Sequence, residues 1–171
     1  MSFLELATSR YSCRKYSAKP VEASKVDAVL AAADAAPTGC NRQPQRILLM
    51  DDPAVLDKVR ACTPFQFNAP LTFLLCYDKD ACWHNDKGEG VGCIDTSIVL
   101  THIILQAAEL GLGTCIVAYY DKDALRKALN IPANLEPVVL LPMGYPAPDA
   151  VPSPMHRQSI GPDGFVMRNH F

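Results

Sequence analysis

The protein has 171 residues, 49% of them hydrophobic and 20% charged, a composition that predicts one folded domain over residues 1–171. Sixteen lysines and arginines face eighteen aspartates and glutamates, so there is no basic excess to favour a nucleic-acid-binding protein. No apolar stretch reaches the roughly 18 residues of a membrane span, and the N-terminus does not resemble a signal peptide. We therefore expect a cytoplasmic protein that contacts neither nucleic acid nor membrane.

Hydrophobic periodicity predicts helices and strands in mixed order along the chain. We expect helices over residues 3–7, 22–36, 53–62, 93–110 and 121–129. Short apolar runs predict strands over residues 47–50, 71–77, 114–117 and 138–142. Pro37 and Gly39 end the second helix, and Asp52 followed by Pro53 begins the third. This mixture predicts an α+β or α/β fold.

The helix at residues 93–110 differs from the others because nearly every face of it is apolar. A helix with one wet side would show an apolar stripe. We therefore expect this helix to be covered all round, either in the centre of the fold or across a subunit interface. The polar segment before it, residues 78–92 with Trp83 and His84, is predicted to be a loop or lid.

Arg10, Ser12 and Arg14 alternate along the chain near the N-terminus. In an extended segment, alternate side chains project to one face. Two guanidinium groups and a hydroxyl on one face suit the oxygens of a phosphate group, although a solvated basic edge has the same spacing. Near the other end of the chain, His156 and Arg157 follow a proline-rich run and offer a further cation for the same site, or belong to a loosely held tail.

Two further segments have backbone or side-chain groups suited to a flat polar ligand. The loop at residues 37–43 contains Asn41 and Gln43, whose amides can read the alternating donors and acceptors of a heterocycle. An ordinary polar turn also fits this pattern. Gly111 and Gly113 allow close approach of the backbone to a flat ligand, or simply end a helix.

The chain contains seven cysteines, an odd number at scattered positions without any Cys-x-x-Cys pair. This pattern predicts reduced thiols that pack as small hydrophobic side chains. The densest group is Cys76, Cys82, His84 and Cys93, which leaves a zinc-bound interaction module as an alternative. Because these spacings match no common zinc motif, we expect no metal site.

Taken in order, these segments resemble the FMN-dependent nitroreductase family in its short-chain form. The matching stretches are residues 10–16, 36–44, 69–70, 107–114 and 143–146, followed by Arg157. The resemblance implies an α+β fold with a mixed central sheet flanked by helices. It also implies a domain-interlocked homodimer with two tightly bound FMN molecules in the interface, each held by both chains.

Carried over by position, the resemblance assigns three groups of residues to the FMN site. The phosphate and ribityl chain are held by Arg10, Tyr11, Ser12, Arg14, His156 and Arg157. A loop donated by the partner subunit lies against the ribityl chain and ring and contains Pro37, Thr38, Gly39, Asn41 and Gln43. Backbone groups near the reactive edge of the ring belong to Val117, Ala118 and Tyr119.

This chain departs from the family pattern at two of these places. Longer members have a Glu-Gly pair where this chain has Ala118 and Tyr119, which leaves the details of the ring edge open. His156 stands where many members have a second arginine or lysine, so the affinity for phosphate is expected to depend on pH.

The activity implied by the resemblance is a ping-pong oxidoreduction. NAD(P)H is the transient hydride donor to bound FMN, and a small electron-poor acceptor such as a nitroaromatic or a quinone then takes the electrons. No catalytic side chain is required, because the flavin carries the chemistry. Two alternatives stay open: an enzyme of the same fold that dehalogenates its substrate or breaks down flavin, and a non-catalytic FMN-binding or storage protein.

Overall fold

The computed structural model of the protein describes residues 1–170. Five α-helices occur in this part of the chain: α1 (Phe3–Ser9), α2 (Ala23–Asp34), α3 (Pro53–Arg60), α4 (Gly92–Glu109) and α5 (Lys122–Leu129). Four strands lie between them: β1 (Gln45–Met50), β2 (Leu71–Asp78), β3 (Gly113–Thr114) and β4 (Leu135–Gly144). Short 3₁₀ turns occupy Gly39–Asn41, Pro154–Arg157 and Pro162–Gly164. None of the helices in residues 1–170 has both the length and the apolar character that crossing a bilayer requires.

Side chains that cap the helices explain where several of them begin. Ser2 and Glu5 form a reciprocal capping box at the start of α1. The Asp52 side chain accepts a hydrogen bond from the Ala54 N–H, with Pro53 in the first turn of α3. Asp121 caps α5 in the same way. These local signals are readable in the sequence, and the helices begin close to the predicted positions.

The four strands form one sheet in the order β1-β2-β4-β3, and every neighbouring pair is antiparallel. A parallel pairing occurs at the isolated bridge between Ser12 and Thr114, which lies outside the four strands at the β3 edge. The predicted α+β class is confirmed.

Helices cover both faces of this sheet. Alternate residues of β2 point to opposite faces: Leu71, Phe73 and Leu75 pack with α2 and α4, whereas Leu74 and Cys76 pack with α3 and α5. The sheet therefore lies between two helical layers, each with its own hydrophobic core.

The single chain covers α4 on one side only: Ile94 is 61% exposed, and Ser97 and Thr101 are exposed too. Of the two predicted positions for this helix, the centre of the fold is therefore wrong, and the position across a subunit interface stays a prediction. One strand prediction is wrong in detail. The predicted strand at residues 114–117 is reduced to Gly113–Thr114 and an isolated bridge from Val117 to Leu140. On β4, Pro142 lies opposite Cys115. It accepts a hydrogen bond from the Cys115 N–H but has no N–H to donate in return, so the pairing between β3 and β4 is interrupted after Thr114.

Candidate functional site

The N-terminal segment at residues 10–14, here called the cationic arm, is fixed against the β3 edge of the sheet. Ser12 pairs with Thr114, and the Cys13 N–H donates a 2.9 Å hydrogen bond to the Thr114 carbonyl. A Cβ on Gly113 would lie 2.7 Å from Cys13 Cβ. Gly113 was predicted to allow close approach of a ligand. In the structure it instead allows the arm to pack closely on the sheet, because a side chain at this position would clash with Cys13.

α1 with Glu5, the first residue of the arm and the C-terminal 3₁₀ turn line one polar cleft of about 720 Å³. Arg10 contributes from the arm, and His156 and Arg157 contribute from the turn. Tyr11 meets His156 edge-to-face, with ring centroids 6.2 Å apart. The structure therefore brings together cationic or protonatable groups that lie almost 150 residues apart in the sequence (157 − 10 = 147).

Cys115, the residue after β3, is buried beside the arm. Burial raises the pKa of the Cys115 thiol, whereas the positive charges of Arg14 and Arg10 act to lower it. Arg14 is itself exposed, and its Nη1 donates a 3.3 Å hydrogen bond to the Ser12 carbonyl.

A second cleft of about 220 Å³ adjoins Arg14 and the segment at residues 117–119. The Val117 N–H is already used in the sheet, because it donates to the Leu140 carbonyl at 2.9 Å. Ala118 and Tyr119 are exposed, which leaves them as the accessible part of this predicted ring-edge segment.

Phe65 and Phe67 form the opposite wall of this second cleft. Phe65 packs edge-to-face against Tyr119 with ring centroids 5.8 Å apart. The Thr63 hydroxyl donates a 2.7 Å hydrogen bond to the Tyr119 carbonyl and joins the two segments. Sequence reasoning did not select these phenylalanines, because only the fold brings residues 63–67 next to Tyr119.

The loop at residues 37–43, here called the amide loop, has an unusual backbone. Cys40, Asn41 and Gln43 have φ values of 49°, 53° and 49°, in the left-handed region that non-glycine residues seldom adopt. The Gln43 Nε2 donates to Asn41 Oδ1 at 3.1 Å, so the two predicted amides are in contact, and both residues are exposed. Strained backbone of this kind is concentrated at functional sites.

One chain does not bring the cationic arm and the amide loop together. Ser12 is joined through Thr114 and Met143 to Leu71, the first residue of β2. The amide loop leads into Gln45, which pairs with Tyr77 near the other end of β2. β2 has eight residues, so at about 3.3 Å per residue the two groups are roughly 20–25 Å apart along the sheet.

The predicted lid at residues 78–92 contains a short hairpin in which the Val91 N–H donates to the Trp83 carbonyl. Cys82 Sγ lies 3.6 Å from His84 Nε2. Within residues 1–170, no three histidine, cysteine or acidic side chains form a group that could hold a metal ion, so the zinc-module alternative receives no support from the structure. The cysteines are free thiols, and five of them are buried like small hydrophobic side chains, whereas Cys40 and Cys93 are exposed and do not fit that prediction.

Comparison with known proteins identifies the family. The nitroreductase family model matches residues 7–63 and 57–145, and the chain belongs to this family. A nitroreductase family protein of known structure from Clostridium difficile 630 is 38% identical, with a TM-score of 0.94 over 100% of both chains. The predicted family and its enzyme class, an oxidoreductase, are therefore confirmed.

Two further relatives carry more specific names. An FMN-dependent nitroreductase from Clostridium difficile R20291 is 27% identical, with a TM-score of 0.82 over 99% of this chain and 100% of that one. An NAD(P)H-dependent FMN reductase from Bacillus subtilis strain 168 is 26% identical over 86% of this chain and 67% of its own length.

Proposed function

We propose that this protein is a homodimeric FMN-dependent oxidoreductase. In this proposal NAD(P)H reduces tightly bound FMN, and a small electron-poor acceptor, such as a nitroaromatic or a quinone, is then reduced in a ping-pong cycle. The observation that carries the proposal is the polar cleft shared by Arg10, His156 and Arg157. The names of the two relatives support the choice of cofactor and donor.

The donor groups around this cleft fit an FMN phosphate. Arginine presents a planar fork of N–H groups that matches phosphate oxygens, and Arg10 of the arm lines the same cleft as Arg157 of the C-terminal turn. Arg10, Arg14 and Arg157 would hold the phosphate, with the Ser12 hydroxyl as a further donor. A monophosphate is favoured over a dinucleotide, because three cations that close on the phosphate leave little room for an adenylate.

Bound FMN would supply the hydride and electron transfer, and the protein would supply orientation and water exclusion. The exposed segment at Ala118 and Tyr119 adjoins Arg14, so its backbone would face the flavin ring when the phosphate lies at the arm. The amides of Asn41 and Gln43 would come from the partner subunit, since the same chain holds them at the far end of β2.

The homodimer is supported by apolar surface that one chain leaves exposed. Phe3 and Leu4 of α1 are 72% and 69% exposed, and Ile94 of α4 is 61% exposed. A groove of about 320 Å³ between α1, α2 and α4 adds further apolar surface. Exposed apolar surface on several helices of one chain is typical of a protein that binds a partner. A two-fold contact through α4 would bring the amide loop of one chain toward the cationic arm of the other.

The C-terminal segment supports an interlocked arrangement. Beyond Arg157 the chain exposes the apolar side chains of Ile160, Phe165, Val166 and Met167, each more than half exposed. In the proposed dimer these side chains would be buried against the partner subunit, which is the usual way to cover exposed apolar surface.

The test is identification of the cofactor followed by turnover. Purified protein should be yellow and release about one FMN per chain on denaturation; FAD or no flavin would contradict the proposal. NADH and NADPH are then supplied with a quinone or a nitroaromatic at several fixed concentrations. Parallel lines in double-reciprocal plots are expected for ping-pong kinetics. Bound FMN without turnover of any acceptor would favour the storage protein instead.

A further inference from the structure

A buried carboxylate on α4 holds the amide loop. Asp95 lies in the first turn of α4 and is only 2% exposed. Its Oδ1 accepts a 2.8 Å hydrogen bond from the Gly39 N–H, while its Oδ2 is buried without a hydrogen-bond partner. Burial of an incompletely paired carboxylate is costly, although the N-terminus of the helix offsets part of that cost. The main contact of this carboxylate is with the amide loop.

The loop needs such support because of its backbone. The left-handed conformations of Cys40, Asn41 and Gln43 are unfavourable and persist only where the surroundings impose them. Within the loop, the Gln43 N–H donates to Thr38 Oγ1 at 3.0 Å. The bond from Gly39 to Asp95 ties this self-contained turn to the long helix.

Packing fixes the loop from the other directions. A Cβ on Gly39 would lie 3.1 Å from Val91 Cγ2 and 3.6 Å from Trp83 Cβ, so there is little room for a side chain between the loop and these neighbours. Val91 and Trp83 limit movement of the loop toward the start of α4, and the hydrogen bond to Asp95 limits movement away from it. Gly39 is therefore held in one position by steric contact and by a charge-assisted hydrogen bond.

We propose that Asp95 is a positioning residue for the flavin site. It holds the amide loop in its left-handed conformation, so that Asn41 and Gln43 are in place before FMN binds. This inference rests on the proposed function, in which the loop contacts the FMN bound by the partner subunit. Preorganisation of a binding loop raises affinity, because less conformational freedom is lost on binding.

The test compares three variants at one temperature well below unfolding. Asp95→Ala should weaken FMN binding about tenfold or more, as expected for loss of a hydrogen bond to a charged group. It should also speed amide hydrogen exchange of residues 39–43 in flavin-free protein and alter the visible circular dichroism of bound FMN. Asp95→Asn keeps an oxygen acceptor for Gly39 and should restore the FMN dissociation constant to within about threefold of wild type.

Thr96→Val is the matched structural control. Thr96 is the next residue of α4, is fully buried, and donates its hydroxyl to the Gly92 carbonyl at 2.8 Å. This variant should lower the melting temperature while leaving FMN affinity, loop exchange and flavin dichroism unchanged. If Thr96→Val changes FMN affinity, loop exchange and flavin dichroism as much as Asp95→Ala does, Asp95 has only a structural role and the inference is overturned.

The remaining outcomes separate this inference from the proposed function. If wild type binds FMN and Asp95→Ala binds it as tightly, with unchanged loop exchange, Asp95 is not a positioning residue and the proposed function stands. If wild type binds no FMN, the proposed function fails, and the role of Asp95 toward the flavin fails with it.

Discussion

Ser12 and Thr114 form a parallel bridge that joins the N-terminal arm to the edge of the sheet. The bridge fixes the extended conformation of the arm, so that Arg10 and Arg14, two residues away on either side, project to the same side as Ser12. The arm is thus part of the sheet edge. Arg10 lines the polar cleft shared with the C-terminal turn, and Arg14 lines the second cleft beside Tyr119.

Arg10→Ala and Arg14→Ala should each weaken FMN binding. Loss of a hydrogen bond between a cation and the phosphate is expected to cost about 1.5–3 kcal/mol, roughly a tenfold to hundredfold increase in the dissociation constant. The effect should be smaller for Arg14, which is exposed, than for the half-buried Arg10. Both variants should purify pale, and flavin fluorescence titration measures the constants.

Arg42→Ala is the control for this pair. Arg42 is an exposed cation in the amide loop to which no phosphate contact is assigned, so its removal should leave the yellow colour intact. Excess FMN should restore turnover in the Arg10 and Arg14 variants, because neither residue takes part in hydride transfer. Wild-type affinity in both arm variants would mean that the arm is only a solvated basic edge.

Ile94→Glu should disrupt the proposed dimer without unfolding the chain. Ile94 is 61% exposed in one chain, so a charge there is tolerated by the monomer but would be buried in the interface. The molar mass measured by light scattering should fall from about twice 18.6 kDa toward that of the monomer, and bound FMN should be lost at the same time.

Ala54→Glu, on the exposed surface of α3 behind the opposite face of the sheet, provides the comparison for Ile94→Glu. It should leave the mass and the flavin content unchanged. A flavin-bound dimer in the Ile94→Glu variant would rule out α4 as the dimer contact.

Local sequence signals predicted most of the fold. Asp52 and Asp121 mark helix starts, and the alternation of Arg10 and Arg14 with Ser12 matches the extended arm. These signals act between residues that are close in sequence, so they do not depend on the tertiary contacts made by the rest of the chain.

Other features depend on tertiary contacts that composition does not encode. The apolar character of α4 does not reveal which face its own chain covers, and Ile94 proved exposed. Asp95 reads as an ordinary polar residue in the first turn of a helix until the fold places it against Gly39. Phe65 becomes part of the site only because Thr63 joins it to Tyr119.

Gln66→Ala should lower the free energy of unfolding by about 2–4 kcal/mol, because two buried partners and the half-buried Arg60 lose their hydrogen bonds to it. Gln66 is 2% exposed, accepts from Arg60 Nε at 3.1 Å, and donates to the Ala69 carbonyl at 2.8 Å and to Thr72 Oγ1 at 3.1 Å. Urea unfolding measures the loss.

The exposed Gln158 offers a matched comparison, since Gln158→Ala should change the unfolding free energy by less than about 0.5 kcal/mol. If Gln66→Ala is equally neutral, the network around Gln66 does not stabilise the segment that carries Phe65 and Phe67.

The hydrogen bond between Glu22 and Tyr145 should contribute to the free energy of unfolding at neutral pH, and this contribution should be lost in acid. The Tyr145 hydroxyl donates a 2.6 Å hydrogen bond to Glu22 Oε2, and Lys19 pairs with Oε1 at 2.9 Å. The Tyr145 hydrogen bond and then Lys19 lower the pKa of Glu22 from 4.5 to about 2. Because the folded pKa lies below the unfolded one, this contribution is complete above pH about 4.5 and is lost as the pH falls toward 2.

Glu22→Gln should therefore melt below wild type at pH 7, and the gap should shrink as the pH falls from about 4.5 to 2. Tyr145→Phe removes the hydroxyl donor, so the double variant should lose less than the sum of the two single losses at pH 7. Calorimetric melting of the four proteins between pH 7 and pH 2 measures both effects. A gap between wild type and Glu22→Gln that stays constant over this range, or strict additivity at pH 7, would show that the hydrogen bond between Tyr145 and Glu22 does not stabilise the fold.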